Sequence, residues 1–275
     1  VVATSAAQPW WRAAWFARVA LVLILLIAAY FRTLSLTTWD AGTGQHPDER
    51  FFRMVASNVR LPAGLGEYFD TARSPLNPRA YEQSPLYVYG LFPVTLTRLT
   101  AVMLTPNEAL PERVPSITGP PPQGGSTQFG PEVANPERAI PKLTPLMPLF
   151  NPQGENLTSY ENVVKVGRSL AVIFDLGAIL LIYMLARRLF DRRVGLLAAL
   201  LSALTVMQIQ QSHFFVDPIF STFFCLMALY WAVRLVQHGA WWNFIGLGFS
   251  IGMAMANRIT LATLGLVAIG AALLW

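Results

Sequence analysis

Two short stretches of this chain gather side chains that can do chemistry. The first is Gln45-His46-Pro47-Asp48-Glu49-Arg50. Adjacent carboxylates can divide the labour of a general base: one takes a proton from a nucleophile while the other orients it or holds a cation. Pro47 at a helix start would put Asp48 and Glu49 in the first turn, where the helix dipole favours negative charge. The same two acids therefore also suit a plain helix N-terminus. The second stretch is Ser212-His213-Phe214-Phe215-Val216-Asp217-Pro218. Asp217 before Pro218 reads as an N-cap followed by a first-turn proline. His213, four residues earlier, shares a face with Asp217 only if the stretch is helical. Arg258 stands apart from both. A buried arginine can grip a phosphate through two N–H groups, the plain alternative being an interfacial anchor. Asp175 lies in an apolar run, and Arg168 is two helical turns earlier on the same face, so the two read as an ion pair.

A membrane must position these residues. The chain has 275 residues, 54% hydrophobic and only 13% charged, where a soluble domain carries about 25% charged residues. Its mean hydropathy is +0.44. This balance excludes a water-soluble globule, a disordered tail and a coiled coil. Cys225 is the one cysteine, so there is neither an intrachain disulfide nor a cysteine-rich zinc site. The net charge of +5 comes from basic residues beside apolar segments. That placement speaks for anchoring and topology, with no nucleic acid as partner. Apolar runs near the roughly 20 residues of a crossing cover about 19–36, 169–185, 194–209, 218–236, 242–256 and 260–275. The sequence opens without Met and stops at Trp275 inside an apolar run, so it reads as part of a longer protein.

The arginines set the orientation. Arg187, Arg188, Arg192 and Arg193 sit in one short loop against a single acid, Asp191, which places that loop in the cytoplasm. Arg12 and Arg18 place the N-terminus there too. Residues 39–165 then form a large extracytoplasmic loop, and their ten Lys/Arg against twelve Asp/Glu give no positive bias to oppose this. Within the loop, the apolar stretch 84–104 would upset the parity of the crossings if it spanned, and it contains Pro93 and Arg98. It is read as a helix at the outer interface. Residues 105–152 hold twelve of the twenty prolines. Such an insert builds neither long helices nor central strands, and reads as an extended cover or a flap.

Taken in order, a first span ending in Arg32, an outward HPDE, an SPLY segment, RSLAVIFDLGAILLIYMLARRLFDRRVGLLAALLSAL and SHFFVD resemble a known family. It is the polyprenyl-phosphate-sugar-dependent glycosyltransferases of the C superfamily, which include protein O-mannosyltransferases and aminoarabinose transferases. The resemblance covers residues 19–260 apart from the proline-rich insert. It implies an all-α integral membrane protein, a polytopic helical bundle with a large extracytoplasmic first loop, forming the N-terminal part of the C-type fold. It also implies an inverting transfer, at the extracytoplasmic face of the cell membrane, from a polyprenyl-phosphate sugar to an acceptor hydroxyl or lipid. By motif, Asp48 is the general base with Glu49 in support, Asp217 is the second acidic site, and Arg258 neutralises the leaving phosphate. His46 and His213 join Arg258 as substrate-binding candidates. A divalent metal is left open, with Asp48, Glu49 and Asp217 as its candidate ligands. The competing reading is a non-catalytic scaffold of the same fold, serving other membrane subunits in a larger complex. A transporter using Asp175, His213 and Asp217 as a polar path comes third.

The arginine asymmetry gives a direct test. Single cysteines introduced at Ser126 and Leu189 should react with a membrane-impermeant reagent from opposite sides; labelling of both from one side would refute the orientation.

Overall fold

The structure is a computed structural model that describes residues 14–40, 46–81, 87–119 and 128–275. Among the described residues, three helices are long and apolar enough to cross a membrane: α1 (Ala14–Thr33), α6 (Tyr160–Leu189) and α9 (Asp217–His238). On α1, Ala17, Ile24 and Ala28 recur at helical spacing and are buried, while Val22, Leu23, Leu26 and Tyr30 stay exposed. For a helix in lipid that exposed apolar face is the expected outcome. At about 1.5 Å per residue, the 30 residues of α6 rise roughly 45 Å, well beyond a hydrocarbon core of about 30 Å. Its first turns therefore remain for contact with the segment between α1 and α6. The chain is a helical membrane protein, as its composition implies.

The expected span 194–209 is broken. α7 (Arg192–Leu204) and α8 (Val206–Ser212) meet at Thr205 with a bend of 59°. A break leaves carbonyls without intrahelical partners, and lipid offers none. Here Arg32 supplies them. From the last turn of α1 it donates to Ala203 O at 2.8 Å and reaches Ser202 O at 3.4 Å. Its Nε donates to Asp175 of α6. Arg32 has no exposed surface and Asp175 only 2%. The sequence reading had paired Asp175 with Arg168; the helical spacing allowed it, but Arg168 is engaged elsewhere and Asp175 faces α1.

α9 closes at Gly239, whose positive φ of 55° is the left-handed cap that glycine tolerates best. A Cβ there would also sit 2.0 Å from Trp275 Nε1. α10 (Trp241–Asn257) returns, the backbone becomes extended at Arg258, and a 3₁₀ segment (Ile259–Leu264) leads into α11 (Gly265–Leu274). The sixth expected span thus starts as 3₁₀ helix and carries only ten α-helical residues. The arginine-bearing turn between α6 and α7 is tight: Asp191 caps α7 by accepting from Arg193 N and Val194 N, and those bonds hold its carboxyl below the usual range. At that same end of the bundle Arg188 Nε donates to Gln237 at the foot of α9.

The opposite end carries α2 (Pro47–Asn58), α3 (Leu65–Phe69), α4 (Phe92–Leu104), an antiparallel hairpin of β1 (Arg113–Gly119) and β2 (Gln128–Ala134), and α5 (Met147–Phe150). Phe52 and Val55 of α2, Val59 just after it, Val94 and Val102 of α4 and Val163 of α6 share one core with Phe215 and Phe220. The interfacial helix read over 84–104 differs in two respects. It begins at Phe92, with Ser84, Pro85 and Leu86 outside the described residues. It also packs against α2 and α6, leaving a half-exposed face along Thr95, Leu96, Leu99, Thr100 and Met103. Its 13 residues rise about 20 Å, too short for a crossing. Arg98 draws it inward. Its guanidinium forks onto Glu137 at 2.8 and 2.6 Å and donates to Ser57 O, and Glu137 accepts from Leu61 N.

Removing one member of a buried pair leaves the other charged and unsatisfied. Arg32→Leu is therefore expected to cost about 3–5 kcal/mol, read as a loss of unfolding midpoint in detergent. Arg32→Leu with Asp175→Leu should recover part of that loss. A single variant as stable as wild type would remove the pair from the structural frame.

Candidate functional site

The chemistry-bearing residues sit at the end of the bundle that holds α2. His46 is the extended N-cap of α2, Pro47 is its first residue, and Asp48 and Glu49 follow in the first turn. Successive helix residues point about 100° apart, and here that separates the two acids. Asp48 is exposed, whereas Glu49 has no exposed surface. Glu49 accepts from Arg168 at 2.8 and 2.6 Å and from Phe215 N at 2.7 Å. Arg168 also donates to Leu36 O and pairs with Asp40 at 3.2 Å. A carboxylate so enclosed fixes α1, α2, α6 and the 213–216 loop to one another. It is held away from solvent, so any support it gives Asp48 passes through the seating of α2.

His213 is enclosed in the same way. It is fully buried, with Nδ1 at 2.7 Å from Ile209 O, Nε2 at 3.0 Å from Leu34 O, and its ring on Trp39 at 4.3 Å. No face of it is left for a substrate. His46 is half-buried with its ring 4.9 Å from Phe214, and its Nδ1 has no hydrogen-bond partner among the described residues. Its neighbour Gln45 lies outside those residues.

Asp217 is the first residue of α9, one place beyond the expected N-cap, which is Val216. Its Oδ1 accepts from Ser221 at 2.9 Å, and its Oδ2 lies 3.2 Å from Arg258 Nε. Asp217 is 1% exposed, while the Arg258 side chain remains 44% exposed. The charge of Arg258 is therefore oriented from beneath and open from above. Asp48, Glu49 and Asp217 do not converge as metal ligands: among the described residues no three His, Cys, Asp or Glu side chains are grouped to hold an ion.

Two tyrosines complete the site, and sequence reasoning missed them. In Tyr87-Val88-Tyr89-Gly90 the alternation of aromatics before a glycine was the available signal, absorbed into the apolar stretch that follows. The Arg258 guanidinium carbon lies 5.5 Å from the centre of the Tyr89 ring. Burial raises the Tyr89 phenol above its ordinary range; the negative charges of Asp48 and Asp217 add to this, and Arg258 opposes it. One phenol thus feels both acids and the arginine. Tyr87 is pushed up more strongly, by burial and then by Asp217, and its hydroxyl donates to Gly90 O at 2.8 Å. Gly90 N in turn donates to Asn257 O at 2.7 Å. A Cβ at Gly90 would meet Ala256 O at 2.0 Å, so only glycine allows this approach. Beside the junction opens a cleft of about 830 Å³, its apolar wall formed by Phe69, Leu91, Phe92, Met253 and Met255, with Arg79 also lining it.

A polytopic helical membrane protein with acids and an arginine gathered at one end of its bundle is the architecture the C-type glycosyltransferase resemblance implies. Residues 159–275, from the start of α6 to the end of the sequence, match the family described as dolichyl-phosphate-mannose-protein mannosyltransferase. The resemblance to polyprenyl-phosphate-sugar glycosyltransferases is borne out over that stretch, which includes Asp217 and Arg258; Asp48 and the tyrosines lie before it. No curated protein and no solved structure matches the chain.

The two adjacent acids should separate experimentally. Glu49→Gln is expected to lower the unfolding midpoint strongly, because Arg168 would lose its main charge partner, whereas Asp48→Asn should leave the midpoint within about 0.5 kcal/mol of wild type, as a surface change does. Equal losses in the two variants would overturn this division.

Proposed function

We propose that this chain transfers a sugar from a polyprenyl-phosphate donor to an acceptor hydroxyl at the extracytoplasmic face, with inversion at the anomeric carbon. The observation that carries the reading is the half-exposed Arg258, held by buried Asp217 and set over the Tyr89 ring at the end of the bundle that also carries exposed Asp48. In this reading Asp48 takes the acceptor hydroxyl proton as the oxygen attacks the anomeric carbon. The bond from that carbon to the phosphate oxygen breaks on the opposite side. The departing polyprenyl phosphate carries away the electron pair, and Arg258 stabilises its charge. Asp217 and Ser221 hold Arg258 in place, and Glu49 acts one step further back by fixing α2. The apolar cleft beside Gly90 and Ala256 suits a donor whose leaving group is a long isoprenoid chain.

The arginine-rich turn between α6 and α7 lies at the opposite end of the bundle from Asp48, which supports a multi-pass protein with its N-terminus in the cytoplasm and residues 39–165 outside. Of the readings drawn from sequence, a transporter draws least support. Asp175 is engaged by Arg32 and His213 by two carbonyls, so neither lines an open path.

Asp48→Asn in the full-length protein is expected to lower transfer at least about a hundredfold, the low end for losing a general base. Near-normal turnover would remove Asp48 from that role. Arg258→Ala should raise the donor KM far more than the acceptor KM, with Arg258→Lys restoring only part, because a lysine cannot hold two phosphate oxygens in the guanidinium geometry. Equal donor dependence in Arg258→Lys and wild type would leave Arg258 as a headgroup anchor. Wild-type protein inert toward every polyprenyl-phosphate sugar would favour the scaffold reading.

A further inference from the structure

We propose that Tyr89 is a positioning residue for the donor site: its ring is the platform that holds the Arg258 guanidinium toward the bound phosphate. The inference rests on the reading of Arg258 as the donor-phosphate ligand.

Three independent features support it. The first is how the two residues are brought together. Gly90 N donates to Asn257 O, and these are the immediate neighbours of Tyr89 and Arg258. The bond fixes the register between the two chain segments, and the missing Cβ of Gly90 lets them touch. The second is the arrangement around Arg258. The Asp217 carboxylate binds its Nε edge at 3.2 Å, and the Tyr89 ring lies 5.5 Å from its central carbon. A guanidinium held by its Nε edge and one face keeps its terminal N–H groups for an anion. The backbone at Arg258 is extended, between the end of α10 and the 3₁₀ segment, so no helix fixes the side chain's direction. Without a platform this long side chain would lose the orientation a phosphate fork needs.

The third feature is the anchoring of the platform itself. The Tyr89 ring packs at 5.1 Å from Phe52, 6.0 Å from Tyr87 and 6.5 Å from Phe51. Phe52 is wholly buried in the core between α2, α4 and α6. Tyr87 is tied to Gly90 through its hydroxyl. The ring is thus part of the rigid frame, while its hydroxyl makes no hydrogen bond to the described residues. The π face is the part of the side chain that meets the guanidinium. A cation over such a face gains about 0.5–2 kcal/mol, depending on desolvation.

The test compares side chains that keep or remove the π face in the full-length protein. Binding of a polyprenyl monophosphate is measured by titration, and donor and acceptor KM are measured in transfer. Tyr89→Leu should weaken polyprenyl-phosphate binding about two- to thirtyfold and raise the donor KM in step, with the acceptor KM unchanged. Tyr89→Phe should restore most of this, since the ring remains. Should the leucine variant fail to fold, Tyr89→Met with a wild-type unfolding midpoint takes its place. In an Arg258→Ala background the loss of the ring should add nothing, because Tyr89 acts only through Arg258. The proposal falls if phenylalanine is as poor as leucine, if the losses from Tyr89 and Arg258 simply add, or if Tyr89→Leu binds as well as an active wild type. A wild type that neither transfers nor binds polyprenyl phosphate would sink the donor-site reading, and the platform with it.

Discussion

Arginine buried against carboxylate is the interaction on which the rest of this structure depends. A charge in apolar surroundings is tolerated only when paired and hydrogen-bonded throughout, and the chain solves that problem three times. Arg32 meets Asp175 and the open carbonyls of α7. Arg168 meets Glu49, Asp40 and Leu36 O. Arg98 meets Glu137 and the end of α2. Each pair ties segments far apart in sequence, and all three enclose a backbone group that would otherwise lack a partner. The pairs join α1 to α6 and α7, α6 to α2, and α4 to the end of α2 and the 3₁₀ turn after β2. Site geometry follows from this frame. Glu49 cannot be both locked to Arg168 and free for chemistry, and its fixation is what leaves Asp48 as the outward acid.

The contact between Arg258 and Asp217 differs in kind from these three. Asp217 is buried, but Arg258 is nearly half exposed, so the pair is closed on one side and open on the other. The contrast separates three enclosed pairs from one with a side open to solvent. It also accounts for the tyrosines. Residues 87–90 are held to the end of α10 by backbone and glycine contact, and that junction places an aromatic face under the one guanidinium of the four that remains half open to solvent.

Much of the architecture was legible in the sequence because apolar length and arginine asymmetry are strong one-dimensional signals. The positions of α1, α6, α9 and α10 follow from them. So does the start of α2 at Pro47, a position where proline's missing N–H costs nothing. The break at Thr205 was not legible. Residues 194–209 are apolar throughout, and the bend is made tolerable by Arg32, whose partners are 143 and 171 residues away. Pairings were misread for a related reason. Arg168 and Asp175 share a helical face by spacing, yet each was taken by a residue from another element. In the site, residue type and side of the membrane pointed to Asp48, Asp217 and Arg258. Burial, which spacing does not reveal, encloses Glu49 and His213, and the tyrosines drew no role from the sequence: Tyr87 entered only as the end of SPLY and Tyr89 only as part of an apolar run.

The Arg32–Asp175 pair also constrains how the chain can be built. Synthesis proceeds from the N-terminus, so Arg32 enters the bilayer with α1 long before Asp175 exists as part of a helix. During that interval the guanidinium has no carboxylate partner. Its place in the last turn of α1 answers this: a long cationic side chain near a helix end can reach the headgroups and wait there at modest cost. When α6 and α7 arrive, it exchanges phosphate and water for Asp175 and the carbonyls at the break. The first span is thus stable on insertion but unfinished, and its final seat is made by helices that follow it.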